Sequence, residues 1–242
     1  MTIRFTPIIR EIPTHTPRAI LDHEIHRLQD EVLLLGSLVE QAMLDAVDSL
    51  CQRNFKLSRR VYHNDKAVNE KRFAIENAVL VLIATQQPMA HDLRVLAAIL
   101  EVITELERMG DYAKGVALIN LRLSSEPVAI PGRDFTRMAN LAVDMLHRAL
   151  TAFAQEDAAL ARQIPPDDDA VDDLYNQVNR DMIASMLADP QTIDSANLLM
   201  WVAHNLERMA DRVSNLCERT IFIVTGELME LETSDDENKI DI

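Results

Sequence analysis

Glycine and aromatic residues are scarce: 5 glycines among 242 residues, and 4% Phe, Trp and Tyr. So few glycines leave few tight turns, which argues against an all-β fold. Positive charge is also short. Lys and Arg number 24 against 39 Asp and Glu, for a net charge of −15. Binding along a nucleic-acid backbone needs clustered positive charge, so no nucleic-acid partner is expected. The two cysteines, Cys51 and Cys217, cannot build a disulfide framework and read as reduced thiols of a cytoplasmic protein. No apolar run approaches the roughly 18 residues of a membrane-spanning helix. The longest, AVLVLIA at 78–84, reads as a buried helix segment. The first 17 residues carry prolines at 7, 13 and 17 and no apolar stretch of signal-peptide type, so they read as a flexible lead-in.

Hydrophobic residues make up 48% of the chain, and Leu, Ala, Val, Met and Glu are good helix formers. Their order is periodic. Ile99, Val102, Leu106, Met109, Ala113 and Val116 alternate spacings of three and four, the seam of a bundle helix. One hundred positions later the same register returns as Leu199, Val202, Leu206, Met209, Val213 and Leu216. Upstream, DKAVNEKRFAI at 65–75 parallels DDAVDDLYNQV at 168–178. A further amphipathic segment precedes each, at 28–50 and at 135–154. Prolines in QQPM (86–89) and ADPQ (188–191) turn the second helix of each half into the third. The spacing therefore predicts an all-α fold of two tandem three-helix bundles, six long antiparallel helices arising by duplication. The first repeat spans 18–125 and the second 133–231. Residues 232–242 form a polar acidic tail of disordered type.

The repeat carries a paradox. ELERMGDYA and NLERMADRV each hold Glu-x-x-x-Asp, namely Glu107 with Asp111 and Glu207 with Asp211. Like charges four apart on a helix repel. Across the first turn, Asp65 and Asp111 are equidistant in sequence from Pro88, and so are Asn69 and Glu107. Across the second, Asp168 pairs with Asp211 and Asp172 with Glu207, to within one residue about Pro190. An antiparallel hairpin makes such positions level. Each half should thus gather four oxygen-bearing side chains beside its core, with Glu107 and Glu207 partly open to solvent. Divalent or trivalent cations would relieve the repulsion, and an all-oxygen set suits magnesium, calcium, manganese or iron better than structural zinc. The plainer alternative is an acidic surface neutralised by Arg108, Arg208, Arg212 or Lys114. His204 reads as a helix-face or core histidine, and Trp201 as filler of a core or interface. There is no Gly-rich phosphate loop, nucleophile elbow or catalytic Cys/His pair.

Residues 86–119, QQPMAHDLRVLAAILEVITELERMGDYAKGVALI, resemble the signature of the PhoU family of phosphate-transport regulators, and 205–227 look like its second copy. The resemblance implies two three-helix bundles whose acidic motifs bind metal ions or clusters, with iron, zinc, magnesium or manganese as candidates. It implies a cytoplasmic, non-enzymatic negative regulator, dimeric or larger. Its partners would be the ATPase subunit of the phosphate ABC transporter and a membrane sensor histidine kinase, so it would meet the membrane only through them. The metal ligands would be Asp65, Asn69, Glu107 and Asp111 in the first half and Asp168, Asp172, Glu207 and Asp211 in the second. Asn69 is neutral, so the first site is expected to be the weaker. DLR at 92–94 has no counterpart in the second half, so any partner contact through Asp92 and Arg94 would belong to the first half alone. A carboxylate-bridged metal enzyme and a metal-free adaptor are the competing readings.

Overall fold

The computed structural model describes residues 17–123 and 129–231. The N-terminal lead-in up to residue 16, the start of the linker at 124–128 and the acidic tail from residue 232 lie outside the described residues. Three long helices form the first half: α1 (Pro17–Cys51), α2 (Phe55–Gln86) and α3 (His91–Leu123). The second half has α4 (Gly132–Gln155), a single turn α5 (Ala158–Ala161), a 3-10 turn Pro165–Asp168, α6 (Asp169–Ala188), a 3-10 turn Pro190–Thr192 and α7 (Ile193–Thr225). Among the described residues there is no strand.

Local chemistry sets these limits. The Asn54 side chain accepts from the Leu57 amide to start α2, and Gln87 ends it in the left-handed conformation just before Pro88. Gly226, at φ 78°, ends α7. The twelve seam residues of α3 and α7 are all buried. Burying one such leucine contributes about 1.5–3 kcal/mol, so these stripes, rather than helix propensity, hold the helices in place. AVLVLIA departs from expectation. Val79 and Leu82 are buried, but Leu80 and Val81 are each 53% exposed. α2 lies on the outside of its bundle, and only one of its faces meets the core.

The halves are not symmetric along their second helices. α2 runs unbroken through Asp65, whereas Pro165 and Pro166 prevent an α-helix from reaching Asp168 from upstream. Asp168 therefore stands at the head of α6 and Asp172 in its first turn. Two carboxylates there meet the positive end of the helix dipole.

The halves also share one core. α3 packs on α7 and α1 on α4. Glu105 of α3 meets Asn215 of α7, and Gly115 meets Asn205, so the two helices run antiparallel about a pseudo-twofold near Gly110 and Ala210. Gly36 lets α1 approach α4 closely: a Cβ there would stand 2.2 Å from Leu150 Cδ1. The buried hydrophobic residues of both halves form one continuous cluster.

Candidate metal centres

In the first half, α2 and α3 bring the expected side chains together. Asp65 is only 9% exposed, although it continues the apolar stripe of α2. Lys114 Nζ reaches Asp65 Oδ2 at 2.7 Å and Asp111 Oδ1 at 3.3 Å, so one ammonium spans the two helices. These bonds raise the Lys114 pKa, that to Asp65 foremost. Asn69 Nδ2 donates to Asp65 Oδ2 at 3.2 Å. Glu107 is half-buried, and its pKa is raised. Burial is the largest cause; Asp111 and Asp65 add to it, while Arg72 and Arg108 oppose it.

In the second half, Glu207 and Asp211 lie one turn apart on α7, which packs against α6 and the 3-10 turn that ends in Asp168. Glu207 is 6% exposed, contrary to the expectation of a partly open group, because α7 is central and packs on α3, α4 and α6 together. Asp168 is buried too, and Asp172 is half-buried. Arg208 Nη2 meets Asp211 Oδ2 at 2.6 Å, and Nη1 lies 3.7 Å from Glu207 Oε1. His204 Nδ1 is 3.6 Å from Glu207 Oε2. Burial, and Arg208 after it, lowers the His204 pKa, which favours the neutral imidazole. Trp201 stacks edge-on against His204 and is 54% exposed, so it fills no core.

The donors suit a hard cation, since every candidate atom is oxygen. Asp65 Oδ1 is buried and has no hydrogen-bond partner, which leaves acceptor capacity where a cation would stand. Among the described residues, no three Asp, Glu, His or Cys side chains already form a coordinating group. Coordination would require Lys114 and Arg208 to leave their carboxylates and the acids to turn inward.

The sequence and the fold have relatives. A family profile described as the PhoU domain matches residues 21–119 and 135–220. The chain belongs to the PhoU family. A PhoU homologue from Streptococcus pneumoniae, named a phosphate-specific transport system accessory protein, is 32% identical over 210 residues, 87% of this chain and 97% of its own. The accessory protein PhoU of Escherichia coli (strain K12) is 33% identical over 207 residues, covering 84% and 85%. The crystal structure of the phosphate transport system regulatory protein PhoU from S. pneumoniae matches with a TM-score of 0.81 at 31% identity, over 87% of this chain and all of that one. PhoU from Pseudomonas aeruginosa matches with a TM-score of 0.80 at 30% identity, over 86% and 100%. These names describe accessory and regulatory proteins, not enzymes.

Three polar features of this PhoU-family chain escape a reading by hairpin. Glu105 is buried between the halves. It accepts from Arg108 at 2.9 Å and from Asn215 at 3.2 Å, with Arg212 at 3.5 Å. Arg108 thus serves Glu105 along α3, and Arg212 reaches it from α7 across the pseudo-twofold. Asp92 is buried against Arg18, and Arg94 Nε donates to the Ile223 carbonyl in the last turn of α7 at 3.0 Å. The DLR segment therefore ties α3 to α1 and to the end of α7. Asn120 Nδ2 donates to the Ser49 carbonyl and to Ser58 Oγ, both at 2.8 Å, joining all three helices of the first half. The signal for Glu105 and Asn120 was a polar residue interrupting an apolar stripe, whereas Asp92 and Arg94 stood out through the DLR segment.

Proposed function

We propose that this chain is a regulator of phosphate uptake and of phosphate-responsive gene expression. In this role it holds metal ions on the paired carboxylates of its two halves. The observation that carries the reading is the doubled Glu-x-x-x-Asp, each copy on a central helix facing an acid-bearing second helix. Family membership and the names of the relatives support the phosphate role. Asp65, Asn69, Glu107 and Asp111 would hold one ion or cluster, and Asp168, Asp172, Glu207 and Asp211 the other. Magnesium, manganese, calcium or iron suits these oxygen donors better than zinc. Such an ion would supply positive charge that the acids lack, stiffening the contact between the second and third helix of each half.

The partners in this reading are the ATPase subunit of the phosphate ABC transporter and the sensor histidine kinase. The chain would work as a homodimer in the cytoplasm and touch the membrane through these partners. No helix among the described residues is long and apolar enough to cross a membrane. A metal-free adaptor is the second reading, and the Lys114 and Arg208 ion pairs favour it, because they already offset part of the repulsion.

Co-purification of the tagged full chain with the cognate ATPase and kinase, from cells grown with abundant phosphate, tests the partner assignment. A phosphate-responsive reporter in a deletion strain tests the regulatory one. Association with both proteins and restored repression are expected. Failure of both would overturn the reading. Calorimetry against inorganic phosphate should show no tight binding to metal-free protein, since the ligand set is anionic.

A further inference from the structure

AVLVLIA at 78–84 is apolar on two sides of α2, and the core covers one of them. Ile75, Val79 and Leu82 enter that core, where α1 and α3 pack on α2. On the opposite side lie Phe73, Asn77, Leu80 and Ala84, spaced four, three and four, and all four are exposed. This is the pattern of a second bundle seam, turned outward. Phe73 is 58% exposed, and Met89, in the turn that follows, 77%. No Asp, Glu, Lys, Arg or His occurs from Asn77 to Ala90, in a chain of which 26% is charged. Exposed large apolar side chains in a surface depleted of charge are the makeup of an interface centre. By the parallel of 65–75 with 168–178, the matching stripe of α6 reads Asn176, Arg180, Ile183 and Leu187. Arg180 stands there in place of Asn77, so charge interrupts the stripe of the second half.

We infer that this outer stripe of α2 is the surface on which two copies of the chain associate, helix against helix and antiparallel. The inference rests on the homodimer named above and says where it forms. Charge favours a second copy as the occupant. Each copy carries −15, so two copies repel, and a charge-free face lets them meet without setting acid against acid. The stripe also complements itself. About a twofold axis between Asn77 and Leu80, Phe73 lies opposite Ala84 of the second copy, the largest side chain of the seam against the smallest. The same arrangement sets the charged end of the stripe, Lys66 and Glu70, against the uncharged end at Gln87 rather than against its own copy. Two such faces would bury on the order of 1,000 Å² together, the lower limit of a specific interface. Asn77, the polar member of the seam, costs stability but fixes the register, as a single asparagine at an a position does in a coiled coil.

The test is sedimentation equilibrium of the full chain at micromolar concentration. Wild type should be a dimer. Leu80→Glu should raise the dissociation constant roughly a hundredfold, because both copies lose an interface leucine and would bury a charge. Phe73→Lys, which brings the opposite charge, should weaken the dimer as well, and both variants should keep the far-UV circular dichroism of wild type. Leu187→Glu, on the interrupted stripe of α6, should leave the dimer intact. With Cys51 replaced by Ser, Phe73→Cys together with Ala84→Cys should give a disulfide-linked dimer on mild oxidation, and Ala84→Cys alone should not. Linkage through Ala84→Cys alone would make the helices parallel and overturn the arrangement. If wild type is a dimer that Leu80→Glu and Phe73→Lys leave intact, the homodimer stands and this inference is overturned. A monomeric wild type overturns both. If such a monomer dimerises only after removal of residues 1–16, those residues, and not a second copy, are what covers the stripe.

Discussion

Replacing Glu107 with Gln isolates the electrostatic cost of the first acidic site. Glu107 is half-buried, one turn from Asp111, and its pKa is raised above the usual glutamate value mainly by burial, then by Asp111. A raised folded pKa means the folded chain binds the Glu107 proton more tightly than the unfolded chain does. Stability from this group is therefore present at low pH and lost as pH rises through the raised value. Above that range the ionised group burdens the folded state. The like-charge pair one turn apart is worth about 0.2–0.5 kcal/mol. Burial adds to it, discounted because the group keeps contact with solvent, for a total of about 0.5–1 kcal/mol. In a chain of this size that is about 1–4 °C in Tm. Thermal unfolding of metal-free protein at pH 7.5 should thus find Glu107→Gln more stable than wild type, with the gap closing near pH 4. A variant less stable than wild type in metal-free buffer at pH 7.5 would refute the reasoning, since it would make Glu107 a net stabiliser without any cation.

Two further outcomes are expected. Arg94→Met removes a charged donor from the Ile223 carbonyl at the end of α7, and urea unfolding should show a loss of about 1.5–3 kcal/mol. Cys217 is fully buried, and burial pushes its thiol up to about 12. A thiol reagent at pH 8 should therefore label Cys51 in the native protein and reach Cys217 only on unfolding.

Much of the fold is legible in the sequence because each bundle helix presents one apolar stripe, and a stripe is a local, periodic signal. The seam from Ile99 to Val116 and its copy from Leu199 to Leu216 are buried throughout. The proline-marked turns fall where α2 gives way to α3 and α6 to α7. The positions of the acids follow from the same hairpin geometry. What a hairpin cannot show is how the two hairpins pack. The burial of Glu207 follows from the central place of α7 among α3, α4 and α6, and Glu105 gains Arg212 and Asn215 at the α3–α7 contact from more than one hundred positions away. Pro165 and Pro166 break the helix in the fold and leave Asp168 at the head of α6, while Asp65 lies inside α2, a difference that the parallel of 65–75 with 168–178 does not show. Lys114 was legible as a neutralising charge. Its choice of Asp65, across the helix pair, was not.

The central claim is that acids on facing helices form cation sites. Anomalous diffraction at the manganese edge, from crystals of the full chain grown with Mn²⁺, tests it most directly. The account predicts anomalous peaks beside Glu107 and Asp111 of α3 and beside Glu207 and Asp211 of α7, each faced by the acids of the second helix of its half. Crystals with no peak beside the carboxylates of either half would contradict it.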